Sequence, residues 1–292
     1  DQIPLTEEED KVDKITSTFF NIMKPKVGDR RIMGLCIIIP GIIDAENKRI
    51  LSTVIGVGYS DPVVQRFEEA FHDYPFCLLN DTACFAYAEY VFANITEPNF
   101  AYINVSKGVG ACLFANGKML RGAGGNATQF GHFSVDRNGP LCACGNHGCV
   151  ERVVGENALT ERAEACGIDL TRFAGRKPLY CDIGAMAEDG DAHAKELIKD
   201  LAVDLSFAIS NLITLFNPSL VVIGGMGVNL GPFFLSNIRD EVQNSGFKEF
   251  VSNTWIQYST LGLDSELGGA ARYYIDHYYD FFEQMQGGLY AD

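Results

Sequence analysis

Apolar residues at Val12, Ile15, Phe19, Ile22 and Met23 recur at helical spacing, which predicts an amphipathic helix over residues 12–23, stopped by Pro25 and Gly28. Residues 32–39 form an uninterrupted apolar run, expected as a central strand covered on both faces. Pro40-Gly41 ends it and places Gly41 at the strand's carboxyl end, the edge where open α/β sheets gather ligands. Asp61-Pro62 opens a helix to about Phe71, with an N-cap and a proline in the first turn. Residues 76–79 then read as a second buried strand ending in Asn80-Asp81, and residues 83–92 as an alanine-rich, aromatic helix. Residues 100–105, 108–114 and 118–120 predict a meander turned at Asn116-Gly117. A long helix over residues 192–216 is terminated by Asn217-Pro218, and a third buried strand, 220–223, runs into Gly224-Gly225. Gly262 and Gly268-Gly269 bracket the start of a last helix over about 270–278, and residues 281–292 read as a weakly ordered tail.

The 292 residues suggest two α/β domains. We place them at 1–98, the smaller, and 99–267, the larger, with the last helix, about 268–280, packing back on the first. Lys plus Arg number 23 and Asp plus Glu 38, a net charge of −15 that suits neither polyanionic nucleic acid nor an anionic membrane. DNA contact would need another segment. Residues 1–10 carry five acids and no basic leader region, so a soluble, cytoplasmic protein is expected. Of nine cysteines only Cys142, Cys144 and Cys149 cluster, which argues for a reducing compartment and against a disulfide scaffold.

That cluster carries the strongest chemical signal. His132 followed by Cys142, Cys144 and Cys149 supplies one imidazole and three thiolates, a tetrahedral zinc set with no open position and therefore a structural one. Asn80-Asp81 at a strand end suits general-base work on a hydroxyl, and equally suits capping of the helix that follows. Glu151 reads either as a residue of that site or as a solvated first-turn acid matched to the helix dipole. Gly108-Val109-Gly110 and Gly224-Gly225 each follow a strand; such pairs cradle phosphates or simply mark turns.

Taken in order, Pro40-Gly41, Asn80-Asp81, Gly108-Val109-Gly110, Gly131-His132, Cys142-x-Cys144-Gly145-x-x-Gly148-Cys149-x-Glu151 and Gly224-Gly225 resemble the ROK family of sugar kinases and sugar-responsive transcriptional repressors. The resemblance implies an α/β, actin-like, ribonuclease-H-like fold of two domains with a sugar in the interdomain cleft. It implies a structural Zn2+ loop that positions His132 on that sugar, and a last helix that returns to the first domain. Sugar contacts would come from Gly41, Thr53, Asn80, Asp81, Gln129, His132 and Glu151. In a kinase, Asp81 would be the general base, and Gly108, Gly110, Gly224 and Gly225 would hold Mg-ATP. A homodimer or homotetramer is expected on the same ground.

The chain departs from the family pattern at three places. Gln129 stands where the family has Glu three residues before the zinc histidine, which adds donors to an acceptor position. No Asp-x-Gly-x-Thr phosphate loop precedes the helix at Val12, and Lys107 in Ser106-Lys107-Gly108 is bulky for the second loop. Cys144-Gly145-Asn146-His147-Gly148-Cys149 resembles the repressor branch. The expectation is the sugar-sensing effector domain of a ROK-type regulator, binding a neutral hexose or N-acetylhexosamine and reaching DNA only through an upstream module. The alternative is an ATP-dependent hexose kinase with Asp81 as base.

Overall fold

The computed structural model describes residues 10–44, 48–53, 62–123, 125, 127–246 and 248–279. Its chain divides into two compact units, the first comprising Asp1–Val91, Gly122–Asn126 and Asp264–Asp292, the second Phe92–Arg121 and Ala127–Leu263. The opening segment of the first unit runs to Val91. The chain returns to the first unit at Gly122–Asn126 before it does so with the last helix.

In the first unit Asp10 caps α1 (Lys11–Thr18) by accepting from the Val12 and Asp13 N–H groups, both at 3.0 Å. Pro25 does not stop this helix. A π-turn over Phe19–Met23, with the Lys24 N–H reaching back to the Phe19 carbonyl, widens the backbone, and α2 (Lys24–Val27) continues to Gly28. A proline inside an α-helix clashes with the carbonyl four residues earlier and donates no N–H; the wider turn absorbs both defects. Phe19 is thereby buried edge-on against Phe71 and Tyr74, at ring separations of 5.3 and 5.2 Å.

β1 (Leu35–Ile38) pairs in parallel with β4 (Phe76–Leu79), and β2 (Gly41–Asp44) pairs antiparallel with β3 (Arg49–Thr53). β1 is shorter than its apolar run because the ladder to β4 begins only where the Leu35 N–H meets the Pro75 carbonyl. Among the described residues β4 is its sole strand partner. α3 (Val63–Ala70) starts at Pro62 without a side-chain cap; Asp61 lies outside the described residues, as does the segment 281–292. α4 (Asp81–Phe92) meets the last helix, which begins five residues before the expected position. Gly268-Gly269 sits inside that helix because a side chain at Gly269 would strike the Cys84 carbonyl; glycine serves close packing there and does not mark a helix start. Tyr87 donates to Asp276 at 2.7 Å and Tyr274 to the Met33 carbonyl at 3.2 Å, both tying the C-terminal helix into the first unit.

The second unit is built on a five-stranded sheet. β5 (Phe100–Val105) lies between antiparallel β6 (Val109–Ala115) and parallel β8 (Leu220–Gly224); β7 (Lys118–Met119) and β9 (Trp255–Tyr258) take the edges. β5 and β8 are buried at every position, as apolar runs without alternation require. Helices α5 (Val150–Val154), α6 (Glu156–Ala165), α7 (Tyr180–Glu188), α8 (Ala192–Phe216) and α9 (Gly231–Asn244) enclose the core; α10 (Lys248–Val251) leads into β9, and α11 (Ser265–Tyr278) is the last helix. α8 buries Leu197, Ile198, Leu201, Leu205, Ile209, Leu212 and Ile213 on one face. At roughly 1.5–3 kcal/mol per large aliphatic side chain, that face contributes on the order of 10–20 kcal/mol before conformational entropy is charged against it. The helix ends at Asn217 in the left-handed conformation, followed by Pro218.

Candidate functional site

In the second unit the residue after the β6–β7 meander that matters most is Gly131. A Cβ there would lie 1.9 Å from the Val109 carbonyl oxygen, so only glycine lets the Phe130–His132 turn rest directly on β6. His132 follows from that seat. The chain then runs out and back: the Val135 N–H donates to Gly148, Val150 to Phe133, and Ser134 bridges Cys149. At the tip, the Cys142 N–H donates to Asn146 at 2.8 Å and Gly145 donates to Cys142 at 2.9 Å, folding Cys142 and Cys144 into a knuckle.

One ligand atom each from His132, Cys142, Cys144 and Cys149 lies within 4.8 Å of all the others. The Cys142 Sγ to His132 Nδ1 and Cys144 Sγ to Cys149 Sγ separations are both 3.6 Å. Ligands on a zinc tetrahedron stand roughly 3.5–3.8 Å apart, given Zn–S of about 2.3 Å and Zn–N of about 2.0 Å, so the donor set fits that ion. The backbone N–H of Asn146 holds the Cys144 thiol below its usual range. Burial pushes the Cys149 thiol up to about 12, so its thiolate needs a cation beside it. His147, also in the loop, is no part of the set: its Nδ1 meets the Gly139 carbonyl at 2.9 Å.

The two glycine loops are neighbours. Asn104 on β5 pairs with Gly110 on one side and Gly224 on the other. Its buried Oδ1 accepts from Ser106 Oγ at 3.0 Å, and that hydroxyl in turn accepts from the Met226 N–H at 3.1 Å. A Cβ on Gly224 would strike Tyr102, and one on Gly225 would strike Asn104 and Ser106. Both glycines therefore make room for the protein's own side chains. On the other loop, Glu151 in the first turn of α5 accepts from the Val109 N–H at 3.3 Å, and its Oε2 would lie 2.5 Å from a Cβ on Gly108. Tyr180, which sequence reasoning missed, donates to the Ser106 carbonyl at 3.1 Å and the Val154 carbonyl at 2.9 Å, fastening this loop to α5. Only its position in an apolar helix face hinted at burial. Gln129 is exposed just before the Phe130–His132 turn.

In the first unit, Asn80 and Asp81 share the carboxyl end of β4. Asn80 Oδ1 caps α4 through the Ala83 N–H at 3.2 Å, while its Nδ2 donates to the Gly41 carbonyl at 2.6 Å. Gly41 and Thr53 are register partners in the β2–β3 pair, so the Asn80 side chain meets that pair at the Gly41 carbonyl. Asp81 Oδ1 accepts from the Thr82 N–H at 2.8 Å. Burial raises its carboxyl above the ordinary carboxylate range despite that bond, as a base for a hydroxyl proton requires. Capping and chemistry are thus compatible here.

The chain is 26% identical over 250 residues to the xylose repressor of Bacillus subtilis, covering 85% of this chain and 62% of the repressor. It is 28% identical over 249 residues to the transcriptional dual regulator NagC of Escherichia coli, covering 83% and 60%. It therefore spans only about three fifths of either relative. A ROK family transcriptional regulator described as a homologue of the E. coli MLC protein superposes with a TM-score of 0.73 at 25% identity, over 89% of this chain and 67% of that one. A glucokinase from Streptomyces griseus, solved with glucose and AMPPNP, superposes at 0.74 and 24% over 89% and 87%, a likeness of fold. With the ROK family model matching residues 3–276, the chain belongs to the ROK family.

Proposed function

We propose that this chain is the sugar-sensing part of a ROK-type transcriptional regulator, and that DNA is contacted by a segment outside it. The observation that carries the reading is the likeness to the xylose repressor and to NagC, each over more than four fifths of this chain. Its ligand is a neutral hexose or N-acetylhexosamine; the candidate contacts are Asn80 and Asp81, with Gly41 and Thr53, in the first unit, and Gln129, His132 and Glu151 in the second. These groups suit hydroxyls and include no guanidinium fork for a charged sugar. A structural Zn2+ on His132, Cys142, Cys144 and Cys149 orients the His132 ring: with Nδ1 toward the metal, Nε2 is left to donate to a hydroxyl.

Among the described residues no helix is long and apolar enough to cross a membrane. Val203, Phe207 and Leu215, exposed by 41%, 54% and 81%, follow one another at multiples of four along α8; this stripe is the face we assign to a homodimer.

Calorimetry across a panel of neutral sugars tests the ligand; binding of phosphorylated sugars alone at Asp81 would remove it. The kinase reading, favoured by the raised carboxyl of Asp81, is tested by ADP release with Mg-ATP and the best-bound sugar. The regulator reading expects none. Turnover of about 1 s⁻¹ or more that disappears in Asp81→Asn would restore the kinase.

A further inference from the structure

Along α2 and the turn that leads to β1 the chain places Lys24, Lys26, Arg30 and Arg31 within eight residues against the single acid Asp29, in a protein whose net charge is −15. Three of these cations, Lys24, Arg30 and Arg31, line a cavity of about 390 Å3 in the first unit, together with Ile32, Met33, Asp73, Tyr74 and Pro75. The cavity lies at the amino ends of β1 and β4, where the Leu35 N–H meets the Pro75 carbonyl. Asn80 and Asp81 stand at the other end of β4, about 13 Å of strand away at roughly 3.3 Å per residue.

Among the described residues the cations of this cavity form no ion pair, although Asp73 lines it with them. Elsewhere Arg66, Arg152, Arg162, Arg172, Arg176 and Arg272 each pair with a carboxylate. Among the described residues no carboxylate pairs with Lys24, Arg30 or Arg31, although the chain holds fifteen more acids than bases. Their positions are nevertheless set. The Lys24 ammonium lies over the Phe20 and Tyr74 rings, at 5.6 and 5.4 Å from their centroids. Arg30 donates through Nε to the Val27 carbonyl at 3.0 Å and through Nη2 to the Lys26 carbonyl at 3.4 Å, which pins the guanidinium at the end of α2 and leaves Nη1. Asp73 meets His72 through Oδ2 and keeps Oδ1 for a donor.

We propose that this cavity binds a phosphate monoester of a small polyhydroxylated molecule, of the size and chemistry of a sugar phosphate. Lys24, Arg31 and Arg30 Nη1 take the dianion, which guanidinium and ammonium donors match. Asp73 accepts from a hydroxyl, and Ile32, Met33 and Pro75 bound the apolar faces of the body. The volume is at the small end of ligand cavities and exceeds what a bare phosphate fills. The site is separate from the one assigned to the neutral sugar.

Calorimetry on the whole chain, with glucose 6-phosphate as probe and glucose, inorganic phosphate and a short DNA duplex as controls, tests it. One saturable site is expected, weakened at least about tenfold by Arg31→Ala and lost in Lys24→Ala with Arg31→Ala, since charge-assisted bonds to the phosphate are removed. Both side chains are exposed, so unchanged melting curves will show that the variants fold. Asp81→Asn should leave this binding intact, which separates it from the neutral-sugar site. The proposal fails if glucose 6-phosphate does not saturate by about 10 mM, or if inorganic phosphate binds as tightly. It fails equally if the duplex displaces the probe, or if Asp81→Asn and not Arg31→Ala abolishes binding.

Discussion

Replacing Gly131 by alanine should release the metal without touching a ligand. A Cβ at that position would sit 1.9 Å from the Val109 carbonyl oxygen, whereas real Cβ contacts stay beyond 3.0 Å, so the Phe130–His132 turn must lift from β6 by about 1.1 Å. Neither side yields easily: Val109 is buried and its N–H is held by Glu151, while the turn is closed by the Phe133 N–H on Phe130. His132 rides on that turn, and its Nδ1 is 3.6 Å from Cys142 Sγ. Metal–ligand distances tolerate about 0.2 Å, so a shift several times larger takes the imidazole out of the set. Zinc affinity should fall at least about a hundredfold, beyond what loss of an outer-shell contact costs. Stability should drop by roughly 1–3 kcal/mol from overpacking, or about 3–10 °C in melting temperature. Competition against a chromophoric chelator, followed by thermal melting with and without added zinc, measures both. Gly145→Ala is the control, because a Cβ there meets nothing within 4 Å and only the left-handed backbone at φ 88° is strained. A Gly131→Ala protein that keeps zinc with unchanged affinity would refute the reasoning.

Native protein should carry one zinc per chain, and Cys142→Ser should lose the metal and neutral-sugar binding together; elemental analysis finding less than about half an equivalent would remove the metal assignment. The same site should release zinc as pH falls, because protons compete for the three thiolates and the imidazole. Asp81→Asn should abolish binding of a neutral sugar yet raise the melting temperature at pH 7.5. Its folded carboxyl titrates above the unfolded value of 3.8, so the favourable contribution of the protonated group is lost as pH rises through the folded pKa, and the amide escapes that loss. The gain should vanish near pH 4, and a variant less stable than wild type at pH 7.5 would contradict the burial argument. Leu215→Glu, at a position 81% exposed on α8, should convert a dimer into a monomer by light scattering at micromolar concentration; wild-type protein that is already monomeric would refute the assignment of that face.

Much of this molecule is legible in local pattern. Unbroken apolar runs locate β4, β5 and β8 because a strand covered on both faces has no polar positions to alternate, and α8 ends at Asn217-Pro218 because that pair cannot continue a helix. The zinc ligands are legible for a different reason: a short, glycine-rich loop with one histidine and three cysteines has little other use for them. What stayed hidden depends on residues far apart in the chain. That Pro25 is carried through a π-turn follows from packing of Phe19 on Phe71 and Tyr74. Gly268-Gly269 looks like a helix boundary until Cys84, almost two hundred residues earlier, lies against it. The two glycine loops read the same as phosphate cradles until Tyr102, Asn104, Ser106 and Glu151 are seen to fill the space beside them. The cluster from Lys24 to Arg31 reads as a solvated charge run until residues 73–75 close a cavity over it. Periodicity and turn chemistry report what a residue does to its own backbone; which side chain occupies the space a glycine leaves, or closes a pocket around a cation, is set only when the chain folds back on itself.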